Sequence, residues 1–225
     1  MEESLNEAAR RYSERNWAGT LEALRDVEST EANHLDLAYL LGLCHARLEH
    51  WDEALLYLEQ VVTAEGDLMR IYQCRLALAY VYSLTSRHRL AEYELGRLVE
   101  AGFESAQVYA FLGYTAWVQG RPEEALRSYG KALEVDAESA TALNGMGYVL
   151  ACEGKDGARA LTYCRKAVDK RPDNPAYLDS LAWAYYRLGF VDEARDYIQR
   201  ALDRAPGEAE IREHARAISS VEADS

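Results

Sequence analysis

"LDSLAWAYYRLG", Leu178 to Gly189, puts three aromatic rings into four consecutive positions: Trp183, Tyr185 and Tyr186. A small residue, Ala182, precedes them, and Gly189 closes the run. The same order of large, small and aromatic residues ahead of a glycine recurs upstream. Three stretches align: "YAFLGYTAWVQGRPEEALRSYGKALEVDAES", "LNGMGYVLACEGKDGARALTYCRKAVDKRPDN" and "LDSLAWAYYRLGFVDEARDYIQRALDRAPGE". Each continues through a glycine turn and an alanine into a second amphipathic segment that ends near proline or its equivalent. The offset is 34 or 35 residues. Self-similarity at such a period marks a stacked array of helical units.

The pattern resembles the tetratricopeptide repeat, a helix–turn–helix unit of about 34 residues with the spacing W-x2-L-G-x2-Y…A-x3-F…P. Six repeats fit, at 1–34, 35–71, 72–105, 106–139, 140–174 and 175–208. The resemblance predicts an all-α, right-handed α-solenoid of about twelve helices. A capping helix over 209–221 follows, since "AEIREHARAISSV" places Ile211, Ala215 and Ile218 on one face. Residues 222–225 are expected to be a frayed tail.

Packing explains the landmarks. Unit position 8 holds Gly42, Ala79, Gly113, Gly147 and Ala182, and position 20 holds Ala54, Ala91, Ala125, Ala160 and Ala194. Small residues there let the two helices of a hairpin approach closely. Larger ones at positions 7 and 24 (Leu78 with Leu95, Met146 with Cys164, Leu181 with Ile198) fill the space between neighbours. Gly120 and Gly189 stand where a helix ends with positive φ. Asn174 and Pro175 read as N-cap and first helical residue. The first and third repeats lack a turn glycine, and the fifth carries one extra residue near Asp156 and Gly157.

In this family the first helix of each repeat lines a concave groove, with positions 2, 5, 9, 12 and 13 facing it. By that resemblance the partner-binding residues are Tyr39, Leu43 and Arg47, then Tyr80, Tyr114, Trp117, Asn144 and Tyr148, then Asp179, Trp183, Tyr186 and Arg187. Position 9 is aromatic in four successive repeats, at Tyr80, Tyr114, Tyr148 and Trp183. An aromatic there can pack on the next repeat's first helix. A whole ladder with Trp117 and Tyr186 beside it fits a binding strip better. Tyr185, at position 11, reads as packing inside the hairpin. The lysines and asparagines with which some such domains clamp a C-terminal carboxylate are missing apart from Asn144. The expected ligand is therefore an apolar or amphipathic protein segment.

The implied function is a protein–protein interaction scaffold or adaptor. The alternatives are a self-associating structural module and a solenoid holding a small apolar ligand. The last two repeats resemble those common in bacterial proteins. Net charge is −13, and only Lys131, Lys155, Lys166 and Lys170 supplement the arginines, which argues against nucleic acid.

No catalytic motif accompanies the repeats. The GxG of "GMGYVL" lies inside a predicted helix with no strand before it, so it is not a dinucleotide loop. His34, His45, His50, His88 and His214 are scattered, and the five-residue spacing of His45 and His50 suits no single helical face. Neither metal nor cofactor is expected, nor an enzyme. The acidic pairs Glu123–Glu124 and Asp192–Glu193 begin second helices, where they favour the helix dipole. Cys44, Cys74, Cys152 and Cys164 read as free structural thiols.

The N-terminus "MEESLNEAARR" has no apolar core of a signal peptide, and the longest apolar stretch, around Leu37 to Cys44, is far short of a membrane span. No direct membrane insertion is expected. A soluble, cytoplasmic chain is the default, with a periplasmic or lipid-anchored one following if a leader has been removed.

Overall fold

The computed structural model describes residues 2–221, with side chains from residue 4 onward. The tail expected at 222–225 lies outside the described residues. Among the described residues there are thirteen helices and no strand, the all-α helical-repeat architecture that the sequence predicts. They fall into two compact units, Met1–Phe103 and Glu104–Ser225.

The first unit holds three hairpins: α1 (Glu2–Ser13) with α2 (Trp17–Leu24), α3 (His34–Arg47) with α4 (Trp51–Thr63), and α5 (Leu68–Leu84) with α6 (His88–Glu100). Helix α5 starts a turn before residue 72, where the repeat register begins, because Asp67 caps it by accepting from the Met69 N–H at 2.8 Å. A part-buried ion pair joins its Arg75 to the buried Glu94 of α6 at 2.5 Å.

The second unit holds α7 (Ala106–Val118) with α8 (Pro122–Val135), α9 (Ala140–Cys152) with α10 (Gly157–Lys170), and α11 (Pro175–Arg187) with α12 (Val191–Arg204). Helix α13 (Ala209–Ser219) follows and packs on both α11 and α12. Asn174 caps α11 by accepting from the Tyr177 N–H at 3.2 Å, with Pro175 in the first turn.

Each hairpin closes on small residues. Ala54, Ala91, Ala125, Ala160 and Ala194 are all fully or almost fully buried, as are Ala79 and Ala182 opposite. A Cβ on Gly147 would meet the Cys164 Sγ at 2.5 Å and the Ala160 carbonyl oxygen at 2.9 Å. The GxG of α9 is thus a packing device on both sides, because a Cβ on Gly145 would fall 2.2 Å from the Tyr129 ring. Tyr129 fills the position that Cys164 and Ile198 fill in the later repeats, and all three are buried. Burial holds the Cys44 and Cys74 thiols up at about 11 and about 12, and all four cysteines are free.

The turns without glycine use the same backbone as those with it. Gly120 and Gly189 have φ of 72° and 82°, two residues ahead of the second helix. Arg15, Glu49 and Ser86 hold that place in the first three hairpins with φ of 60° or 61°. In the fifth, Gly154 stands three residues ahead, so the turn absorbs the extra residue, and Asp156 caps α10.

These contacts set a pair of opposite outcomes in chemical denaturation. Gly147→Ala should destabilise the chain by about 1–3 kcal/mol, since backbone atoms of α10 block relaxation. Ser86→Gly should stabilise it by about 0.5–1 kcal/mol by relieving a left-handed conformation on an exposed residue. Equal midpoints for Gly147→Ala and the parent would mean that α9 and α10 do not meet at this point.

Candidate functional site: the aromatic face of the first helices

The expected site residues divide between the units. In the first, Tyr39 on α3 donates its hydroxyl to Gln73 of α5, and the Arg70 guanidinium lies 5.3 Å from its ring centre. Arg70 is also paired with Asp36. Leu43 is half-buried, and Arg47 lies over the Trp17 ring at 5.8 Å. Tyr80 stands 50% exposed, with Leu84 exposed one turn on.

In the second unit α9 packs against both α7 and α11, which brings their aromatic positions to one face. Tyr114 on α7 is 42% exposed, and Val118 one turn on is 39% exposed. Trp117 meets Tyr148 of α9 edge to face at 5.9 Å, a favoured aromatic geometry. Trp183 and Tyr186 of α11 form a pair at 5.1 Å. Asn144 is part-buried, and its Oδ1 is a buried acceptor with no hydrogen-bond partner. Arg187 donates to the Cys152 carbonyl at 3.1 Å. Tyr185 points the other way: it is 6% exposed, stacks on Tyr197 at 5.5 Å, and accepts from Arg165 at 2.7 Å and 3.1 Å.

Helix α13 covers one end of this face. Glu210 accepts from the Tyr148 hydroxyl at 2.5 Å. The His214 ring stacks on Trp183 at 4.2 Å, and its Nδ1 lies 2.9 Å from both oxygens of Asp179. Asp179, expected as an open polar contact, is only 4% exposed. The expected α13 stripe of Ile211, Ala215 and Ile218 is correct at both isoleucines, but its third buried member is His214 rather than Ala215. His214 stands three residues after Ile211 and four before Ile218, so helical spacing already placed it on the packed face. His45 and His50 share no helical face, as their spacing predicts, yet they are neighbours. They meet at 3.1 Å because His50 caps the next helix and faces back across the turn.

Among the described residues no helix is long and apolar enough to cross a membrane. Two tetratricopeptide-repeat family models match the chain, over residues 112–175 and 153–217. The chain is a tetratricopeptide-repeat protein. Over 71 residues, 32% of this chain, it is 39% identical to the TPR repeat-containing protein PA4667 of Pseudomonas aeruginosa. It spans only 12% of that relative's length. A chain of the APC/C hetero-tetramer Cut9–Hcn1 superposes with a TM-score of 0.76 at 17% identity, covering 91% of this chain and 39% of that one. YrrB, described as a TPR protein with an unusual peptide-binding site, superposes with a TM-score of 0.57 at 17% identity, covering 87% and 96%. Tetratricopeptide repeats form a family of interaction scaffolds, and the architecture here is that of the family.

The docking of α13 is linked to protons. Burial pulls the His214 pKa down, but the hydrogen bond and charge of Asp179 outweigh it and leave it above the ordinary 6.5. Burial also raises Asp179, against the pull of His214. The groups facing the imidazole are Asp179 of α11, Tyr148 of α9, and Glu210 and Glu213 of α13 itself, while Arg195 of α12 holds the far end through the Val221 carbonyl. The His214 shift means that the docked helix holds the imidazole proton more tightly than the undocked one. The stabilisation is complete below pH 6.5 and is lost as pH rises through the elevated His214 value. Hydrogen exchange of α13 amides, corrected for intrinsic rates, should show an opening equilibrium about tenfold more favourable at pH 9 than at pH 6, the scale of one charge-assisted hydrogen bond. His214→Gln should flatten that dependence. A flat profile in the parent chain would contradict the pairing.

Proposed function

We propose that this chain is a scaffold or adaptor that holds a segment of another protein on the face of α7, α9 and α11, and that its role is binding rather than catalysis. The observation that carries the reading is Tyr114, a large ring left 42% exposed beside the Trp117–Tyr148 pair, with Val118 exposed one turn further. Aromatic residues clustered in this way anchor protein interfaces. Tyr80 and Leu84 are the corresponding open residues in the first unit, and YrrB is a relative in fold that is described as peptide-binding. Exposed apolar surface at the centre and polar groups such as Asn144 beside it suit an amphipathic segment.

The test separates binding from folding. Partners captured by the parent chain are identified by mass spectrometry and their affinity is then measured by calorimetry. Tyr114→Ala should weaken binding by tenfold or more, since burying such a ring contributes about 1.5–3 kcal/mol, while the melting midpoint stays put. Tyr185→Ala should do the reverse, costing about 2–4 kcal/mol of stability with affinity unchanged for the folded protein. Undiminished binding by Tyr114→Ala would remove this face from the interaction.

A further inference from the structure

His214 sits in a setting that the packing of a cap helix does not require. Asp179 is a buried carboxylate on α11, and one imidazole nitrogen takes both its oxygens at 2.9 Å. The imidazole lies flat on Trp183, 20° from parallel, with the Tyr148 ring 6.1 Å away and Tyr186 against the same tryptophan. A carboxylate behind aromatic faces is a receptor for a cation. The ring quadrupoles attract positive charge, and a buried carboxylate is costly until a positive partner satisfies it. The receptor is built by α9 and α11, whereas its occupant comes from α13. That helix has only Ile211 and Ile218 as further buried anchors.

We propose that Asp179, Trp183 and Tyr148 form a binding site for an arginine side chain of a partner segment, and that α13 is its built-in occupant, which the partner displaces. The proposal rests on the reading of the α7–α9–α11 face as a partner surface, and names the chemistry at one end of it. Arginine fits on three counts. Its planar guanidinium stacks on tryptophan as the imidazole does. Its fork of donors matches a carboxylate whose two oxygens are equidistant from the present donor. A chain of net charge −13 draws a basic segment towards it. Glu210 must leave Tyr148 when α13 is displaced, which frees a hydroxyl donor for the incoming segment.

The probe is a synthetic peptide of residues 206–221 carrying His214→Arg, compared with the same peptide bearing citrulline, a neutral isostere, at that position. The receiver is the full chain with Ile211→Ala, His214→Ala and Ile218→Ala, whose own α13 keeps none of its buried anchors. Circular dichroism checks that helix is lost only at the scale of α13, and His214→Ala alone replaces the triple variant if it does not fold. The arginine peptide should bind the receiver at least tenfold more tightly than the citrulline peptide does, and at least tenfold more tightly than it binds the parent chain. Adding Asp179→Asn should erase the preference for arginine. Equal binding of the two peptides, no binding of either, or a preference that survives Asp179→Asn overturns the proposal. The peptide reaches only the end of the face that α13 covers, so the wider face is read separately, from Tyr114→Ala against a captured partner. Equal binding of the two peptides, with partner capture still lost in Tyr114→Ala, leaves the aromatic face standing and removes the arginine site. An arginine preference with partner capture untouched by Tyr114→Ala leaves the arginine site standing and removes the wider face.

Discussion

Five of the six hairpins depend on a close approach between a small residue of the first helix and an alanine of the second, and in the first hairpin the buried Thr20 takes the alanine's place. At Gly147 the approach is tight enough that a single methyl group would press on the backbone of α10. This contact lets two helices with modest apolar stripes share one interior, which Leu78 with Leu95, or Leu181 with Ile198, then fills without leaving volume to spare. It also fixes the rotation of every first helix. Once residue 8 of the unit must face the partner helix, residue 9 is turned away from it, and the aromatic residues at that position in α7, α9 and α11 come out on a common face. The candidate site is thus a geometric consequence of the small-residue contacts.

Much of this was legible in the sequence because it is local and periodic. The buried alanines, the cap at Asn174 and the inward course of Tyr185 all follow from spacing within one unit. The turns at Arg15 and Ser86 were less legible: glycine is the usual mark of a left-handed residue, yet helices already committed to packing can impose that conformation on other side chains. What the sequence hid were pairings between elements. His45 and His50 have the wrong spacing for one helix and the right one for a helix and the cap of the next. His214 stood on the packed stripe of α13, but nothing within that helix announces that a carboxylate and a tryptophan of α11 await it. Asp179 was read as an open polar residue for the same reason, since its cover comes from 35 residues downstream.

The second unit therefore shows its aromatic face in two conditions. Around Tyr114 the rings are open, whereas around Trp183 they are covered by a helix that contributes a carboxylate to Tyr148 and an imidazole to Asp179. A terminal helix is needed to shield the last hairpin of any such stack, and two isoleucines suffice for that. The polar contacts add chemical selectivity to the shielding. They tie the exposure of half the face to the protonation of one buried pair, so a partner that competes for the covered end meets a helix held more weakly as pH rises.

Site-specific photocrosslinking tests the central claim, that the α7–α9–α11 face is where another protein binds. A benzophenone amino acid is placed at position 114, on that face, and separately at position 127, an exposed residue of α8, in cells of the source organism. The account predicts a discrete crosslinked protein from position 114 and none from position 127. Crosslinks from position 127 alone would place the interaction on the second helices and contradict it.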